Sequence, residues 1–287
     1  MQPRSCNLYC LSPEGFHRIR YWEWGLEDSA RTVICVHGLT RNGRDFDDLA
    51  QFLAWRGWRV VCPDIVGRGE SDWLQNKENY DFSTYVNDMS QLIARLGGAP
   101  VHWVGTSMGG IIGQLIAAKD QAPIKRMVLN DIGPLIDAQG LSRIKGYVGN
   151  DPSFPNFEAA EEAINKVTDK FGPMNKTQRK RFVEVSIRKR SNGAFTTNYD
   201  PRIAWAFKEN DPEDVDMWSL WPLIKCPILV IRGADSDLLS ASTSHRMQTE
   251  GPKAEEYVLE GVGHAPTLMS SEEINRITLF LEAENNQ

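Results

Sequence analysis

Short, near-continuous apolar runs alternate along the chain with stretches of helical spacing. Residues 32–36, 58–63, 101–104 and 124–130 are largely apolar runs, the pattern of strands buried on both faces. Between them, residues 45–55 carry Phe46, Leu49, Ala50 and Leu53 at helical spacing. Residues 82–96 predict a helix capped near Ser83 and stopped by Gly97 and Gly98, and residues 111–118 predict a buried one. Residues 16–24 alternate and predict a first strand or hairpin arm, while the polar opening residues predict no element.

The rhythm breaks after Asp131-Ile132-Gly133-Pro134. Residues 135–222 are polar and largely helical, with helix candidates at 140–149, 157–171, 177–189 and 201–209, and they hold Trp205, Trp218 and Trp221. Strands then return at 226–233 and 256–259, and helices at 241–250 and 270–283. Strands alternating with helices imply an α/β fold: a mostly parallel central sheet with helices on both faces. The core is expected in two parts, residues 1–134 and 223–287, with residues 135–222 inserted as a helical cap over one end of the sheet.

A chain of 287 residues, 41% of them hydrophobic, is long enough to bury one large core carrying such an insertion. The net charge of −6 argues against a nucleic-acid surface. Basic residues cluster between Lys176 and Arg190; they read as a solvated helix face, with attraction of an anionic substrate as the other use. Cys35, Cys62 and Cys226 lie in apolar runs as small buried hydrophobes, whereas Cys6 and Cys10 are close enough in sequence to pair. No spacing marks a metal site, and neither metal nor cofactor is expected. Without a secretory h-region or a membrane-length apolar stretch, the expectation is a soluble cytoplasmic protein.

The chemistry centres on Gly105-Thr106-Ser107-Met108-Gly109, a G-x-S-x-G run between an apolar strand and a buried helix. A nucleophile in so sharp a turn needs neighbours without side chains, because strand and helix approach closely there. Asp235 and Asp237 follow the 226–233 strand, and His264 follows the 256–259 strand. Each of these residues stands at the carboxyl end of a strand, where open α/β sheets carry their sites. Serine is a weak nucleophile at neutral pH; a histidine takes its proton, and a buried carboxylate orients that histidine. Asp237 is the expected acid, held inward by the apolar pair Leu238 and Leu239; Asp235 is the alternative and Asp131 a more distant one. The oxyanion is expected to meet the backbone N–H groups of Met108 and Leu39, with His37 holding the loop that carries Leu39.

Four motifs then stand in order: His37-Gly38-Leu39-Thr40, Pro63 through Gly67-Arg68-Gly69-Glu70-Ser71-Asp72, Gly105 through Gly110, and Gly261-Val262-Gly263-His264-Ala265-Pro266. Together they resemble the α/β-hydrolase fold superfamily, over nearly the whole chain. The resemblance is closest to the group that includes small-molecule carboxylesterases, enol-lactonases and meta-cleavage-product C–C hydrolases. It implies a serine carboxylester hydrolase acting through an acyl-enzyme on small to medium acyl esters. The alternatives it permits are lactone hydrolysis and C–C hydrolysis of a dienoic keto acid, whose carboxylate would need a cationic clamp such as Arg188 or Arg190. The partner expected is a small-molecule ester. Aspartate-nucleophile relatives are disfavoured by the serine at 107.

Overall fold

The computed structural model describes residues 1–209 and 211–283. The chain opens with a long hairpin, β1 (Arg4–Ser12) and β2 (Gly15–Trp24), and continues through β3 (Thr32–Val36), α1 (Asp47–Trp55), β4 (Arg59–Pro63), α2 (Phe82–Arg95), β5 (Val101–Thr106), α3 (Met108–Ala117) and β6 (Ile124–Asn130). The next segment holds β7 (Leu135–Ile136), α4 (Ala138–Tyr147), α5 (Phe157–Val167), α6 (Lys176–Ser186), β8 (Ile187–Lys189), β9 (Phe195–Thr197), α7 (Trp205–Glu209) and β10 (Val215–Asp216). The chain then returns through β11 (Ile228–Gly233), α8 (Ala241–Thr249), β12 (Glu255–Leu259) and α9 (Ser271–Glu282).

Eight strands form one sheet in the order β1-β2-β4-β3-β5-β6-β11-β12. From β4 to β12 all pairings are parallel; β1 with β2 and β2 with β4 are antiparallel. Alternation along each strand sorts its side chains into two cores. Ile34, Val36, Val61, Trp103, Leu129 and Val230 face one side, against α2 and α3. Val33, Cys35, Val60, Val104, Val128 and Leu229 face the other, against Leu49 and Leu53 of α1 and Ile277 and Phe280 of α9. Both faces are covered, which is why these strands read as continuous apolar runs.

β1 escaped the sequence reading because its outward positions carry exposed Tyr9 and Leu11 while Leu8 and Cys10 point inward, so no alternation of polarity shows. Cys6 and Cys10, close enough in sequence to pair, do not: both are free thiols four residues apart along one extended strand, too far for a disulfide. Among the described residues 135–222, none joins the large sheet; β7 pairs with β10, and β8 with β9. The 177–189 candidate is helical only to Ser186, where the chain extends into the hairpin made by Ile187–Lys189 and Phe195–Thr197. No helix of the described residues is long and apolar enough to cross a membrane.

Candidate active site

Ser107 joins β5 to α3 at φ 51° and ψ −115°, in the positive-φ region that L-residues seldom occupy. The flanking glycines make the turn feasible. A Cβ on Gly105 would lie 2.5 Å from the Gly109 backbone, and one on Gly109 would lie 2.0 Å from the Val36 carbonyl oxygen. The Ser107 hydroxyl therefore stands at the N-terminus of α3, where the first amide groups have no helical partner.

His264, in the loop after β12, lies with Nε2 2.9 Å from Ser107 Oγ. Its Nδ1 is 2.8 Å from Oδ2 of Asp131, a fully buried residue directly after β6. A carboxylate oxygen accepts, so the ring proton is assigned to Nδ1 and Nε2 is left to accept from the serine. Asp131 is itself held: its Oδ1 accepts from the Gly233 N–H at 2.9 Å and its Oδ2 from the Ser236 hydroxyl at 2.6 Å.

The structure corrects the expected acid. Asp237 does not reach His264; it forms a two-pronged ion pair with Arg143 of α4. Burial alone would raise the Asp237 carboxyl, but the hydrogen bond and charge of Arg143 outweigh it and hold the group below the usual carboxylate range. Asp235 is exposed, and its backbone N–H donates to the Val262 carbonyl at 2.9 Å. Leu238 and Leu239 are buried as expected, yet the side chain of this loop that reaches Asp131 is that of Ser236, which stands between the two aspartates. Both aspartates share the opposite parity and point elsewhere.

His37 is fully buried and bonded at both nitrogens. Its Nδ1 donates to the Gly38 carbonyl at 2.7 Å, and its Nε2 accepts from the Ile65 N–H at 2.9 Å. Burial, reinforced by the charges of Arg68 and Arg41, pushes its pKa down to about 3, so the ring is neutral in this loop. Arg68, which sequence reasoning passed over, is also fully buried. Its Nε donates to the Leu39 carbonyl at 2.9 Å, and its terminal nitrogens donate to the Val66 carbonyl at 2.8 Å and the Tyr85 hydroxyl at 2.9 Å and reach the Met108 sulfur at 3.5 Å. This one guanidinium touches both Leu39 and Met108. The only sequence signal for it is its place between two glycines, Gly67 and Gly69, both at positive φ.

Two cavities meet at Ser107. One, of about 530 Å³, runs beneath α3 past Met108, Ile111 and Leu115 to Trp205 and Phe207. The other, of about 80 Å³, is bounded by His264, Arg41, Asp45 and Phe182. Of the three tryptophans in residues 135–222, Trp205 lines the larger cavity; Trp221 is buried with its Nε1 on the Glu250 carbonyl, and Trp218 packs against it edge-on. The basic residues of 176–190 are engaged elsewhere: Arg181 pairs with Asp48, Arg188 stacks over Trp73, and Arg190 pairs with Asp151. Neither Arg188 nor Arg190 lines either cavity among the described residues.

Residues 31–268 match the family model for the α/β hydrolase fold. The chain is 38% identical over 281 residues to a 3-hydroxybutyrate-oligomer hydrolase from Cupriavidus necator, covering 95% of each protein. A solved α/β hydrolase from Novosphingobium aromaticivorans superposes with a TM-score of 0.86 at 37% identity, over 97% of this chain and 98% of that one. A chain from Rickettsia typhi superposes with a TM-score of 0.91 at 34% identity, over 99% and 100%. The mostly parallel sheet, the serine at the β5–α3 turn and these likenesses over nearly the full length place the chain in the α/β hydrolase family, as a hydrolase.

Proposed function

We propose that the protein is a serine hydrolase that cleaves carboxylic esters through an acyl-enzyme. The observation that carries this reading is the unbroken line from Asp131 Oδ2 through both ring nitrogens of His264 to Ser107 Oγ, at 2.8 and 2.9 Å. Ser107 Oγ attacks the ester carbonyl carbon as its proton passes to His264 Nε2, and Asp131 stabilises the imidazolium. The carbonyl oxygen becomes an oxyanion facing the N–H groups of Met108 and Leu39. Within a trans peptide the C=O and N–H point oppositely. By binding the Gly38 carbonyl, His37 therefore turns the Leu39 N–H away from itself, toward the serine side of the loop. Collapse of the intermediate breaks the C–O bond, and His264 Nε2 returns its proton to the leaving oxygen. A water then repeats the cycle on the acyl-enzyme with the same histidine as base.

Residues 135–222 act in this reading as a cap, since Ile144 and Trp205 from that segment line the cavities beside the serine. For the substrate, 38% identity with a 3-hydroxybutyrate-oligomer hydrolase brings a short oligoester of hydroxy acids into the test beside simple small to medium acyl esters. C–C hydrolysis of a keto acid is weakened by the engagement of Arg188 with Trp73 and of Arg190 with Asp151. The test is labelling by a fluorophosphonate together with hydrolysis of p-nitrophenyl butyrate and of a 3-hydroxybutyrate trimer. Ser107→Ala is expected to lose labelling and turnover while melting near the parent. Residual hydrolysis within tenfold of the parent would overturn the assignment of the nucleophile.

A further inference from the structure

Proton return fixes which side of Ser107 the leaving group occupies. The leaving oxygen takes its proton from His264 Nε2, so it departs on the histidine's side of the tetrahedral carbon. His264 lines the small cavity and is absent from the described lining of the large one, whereas Ser107 and Leu39 line both. With the oxyanion directed at Leu39 and Met108, the remaining substituent, the acyl chain, points into the large cavity.

The wall of that cavity specifies the chain it takes. Ser107, Ile111 and Leu115 are spaced at i, i+4 and i+8, so they share one face of α3. At the helical rise, that face extends about 12 Å from the nucleophile. Ile132, Ile136 and Ile203 add further apolar lining. Of the phenols that border it, Tyr80 donates to Asp200 at 2.6 Å, and Tyr85 accepts from Arg68 at 2.9 Å and keeps its own proton to donate. The charged residues of the lining are Asp81, Asp211 and Glu213, with no Lys or Arg among the described residues. A cavity with acids at its edge and few free hydrogen-bonding groups penalises a carboxylate on the acyl tail. The small cavity has room for far less, and its one cation, Arg41, is held by Asp45 in two hydrogen bonds, at 2.8 and 2.5 Å.

Resting on the ester-hydrolase reading above, we infer that the site is directional. The large cavity takes an extended, uncharged apolar acyl chain, the small one takes the alcohol, and the preferred substrates are medium-chain acyl esters of small alcohols.

Methyl octanoate and heptyl acetate are isomers that differ in the direction of the ester, so the purified enzyme is compared on the two. Methyl octanoate is expected to be the better substrate by at least tenfold in kcat/KM. Equal rates, or a preference for heptyl acetate, overturn the inference while leaving the ester-hydrolase reading intact. Monomethyl suberate, which adds a carboxylate at the far end of the acyl chain, is expected to fall at least tenfold below methyl octanoate; parity would overturn the part of the inference concerning charge. Leu115→Trp fills the far end of the cavity and is expected to lower the ratio of methyl octanoate to methyl acetate turnover by about tenfold, the scale at which one methylene is discriminated in an apolar pocket. An unchanged ratio in a folded variant counts against the cavity as the acyl site. If none of these esters is hydrolysed and fluorophosphonate does not label Ser107, the proposed function fails and this inference falls with it.

Discussion

His264 and Asp131 are 133 residues apart in sequence and 2.8 Å apart in space. The contact joins the last strand–helix loop of the chain to the end of β6, the strand beside the one that leads to Ser107. Asp131 sits there at φ 56°, its backbone N–H on the Ile231 carbonyl at 2.7 Å and its side chain bonded to Gly233 and Ser236. The carboxylate is thus fixed by β11 before it meets the histidine, and the loop that carries Asp235 and Asp237 serves as its support.

Asp131→Asn is therefore expected to leave the protein folded and to lower kcat on the order of 10⁴, because the amide favours the wrong histidine tautomer. Asp237→Asn breaks only the partly exposed pair with Arg143 and is expected to keep kcat within a few-fold, with a small loss of melting temperature. Both variants, assayed on p-nitrophenyl butyrate with thermal melts alongside, separate the two carboxylates. An active Asp131→Asn enzyme would remove Asp131 from the mechanism.

The layered sheet was legible because burial on both faces prints continuous apolar runs, and the turn at Ser107 was legible because a Cβ at either flanking glycine would come within 2.5 or 2.0 Å of backbone. His264 was legible from its place after the last strand. The carboxylate that meets His264 was not, since three aspartates end strands or follow them, and the loop after β12 carries His264 back past its neighbour β11 to the end of β6, a path no local pattern records. Parity within the 235–237 loop held a clue: if both aspartates share one direction, the residue between them takes the other, and that residue is Ser236. Arg68 was invisible for a related reason, because a charged residue in a polar loop gives no sign that it folds inward onto Leu39 and Met108.

Arg68 makes a second expectation specific. Its hydrogen-bond partners are two carbonyls, a phenol and a thioether, with no carboxylate among them. Removing it leaves the buried Val66 carbonyl without this donor, at a cost of about 1–3 kcal/mol, and the part-buried Leu39 carbonyl without it at a smaller one. Arg68→Met is expected to lower the melting temperature and to reduce kcat with little change in KM, since the Leu39–Thr40 peptide, which follows the peptide carrying the Leu39 N–H, loses its anchor. Binding of a boronate that mimics the tetrahedral intermediate should weaken in step with kcat, whereas a ground-state competitive inhibitor should bind as before. Equal weakening of both inhibitors would point to general disorder of the pocket instead of loss of oxyanion alignment.

Asp64 ties together the loops after β3 and β4. Its fully buried carboxyl accepts from the Gly43 N–H through Oδ1 and the Glu70 N–H through Oδ2, each at 2.8 Å. Asn presents one acceptor and one donor in the same place, so Asp64→Asn sets an N–H against an N–H and leaves a buried amide unpaired. A destabilisation of about 2–3 kcal/mol is expected, readable as a lower midpoint in urea at unchanged m-value. A variant as stable as the parent would show that these two bonds contribute nothing net.

His102, on β5 and remote from the site, makes acid sensitivity predictable. Burial first, and then the nearby charges of Lys125, Arg126 and Arg31, lower its pKa from 6.5 to about 4. The folded protein holds this ring neutral while the unfolded chain protonates it, so between about pH 6.5 and pH 4 the unfolded state binds more protons. The corresponding stability is present in full above about pH 6.5 and is lost as pH falls toward 4, and it amounts to about 3 kcal/mol at most. His102→Phe keeps the edge-on contact with Trp58, whose ring centroid is 4.9 Å away, and removes the titration. The Nδ1 it deletes has no hydrogen-bond partner, so the change forfeits no bond at that nitrogen. Melting temperatures of parent and variant, each referred to its own value at pH 8, should therefore diverge below about pH 6, with the variant falling less steeply. The acid limb does not vanish, because His37 titrates with the same sign and is still present. Parallel curves down to pH 4 would mean that His102 is protonated in the folded state as readily as in the unfolded chain.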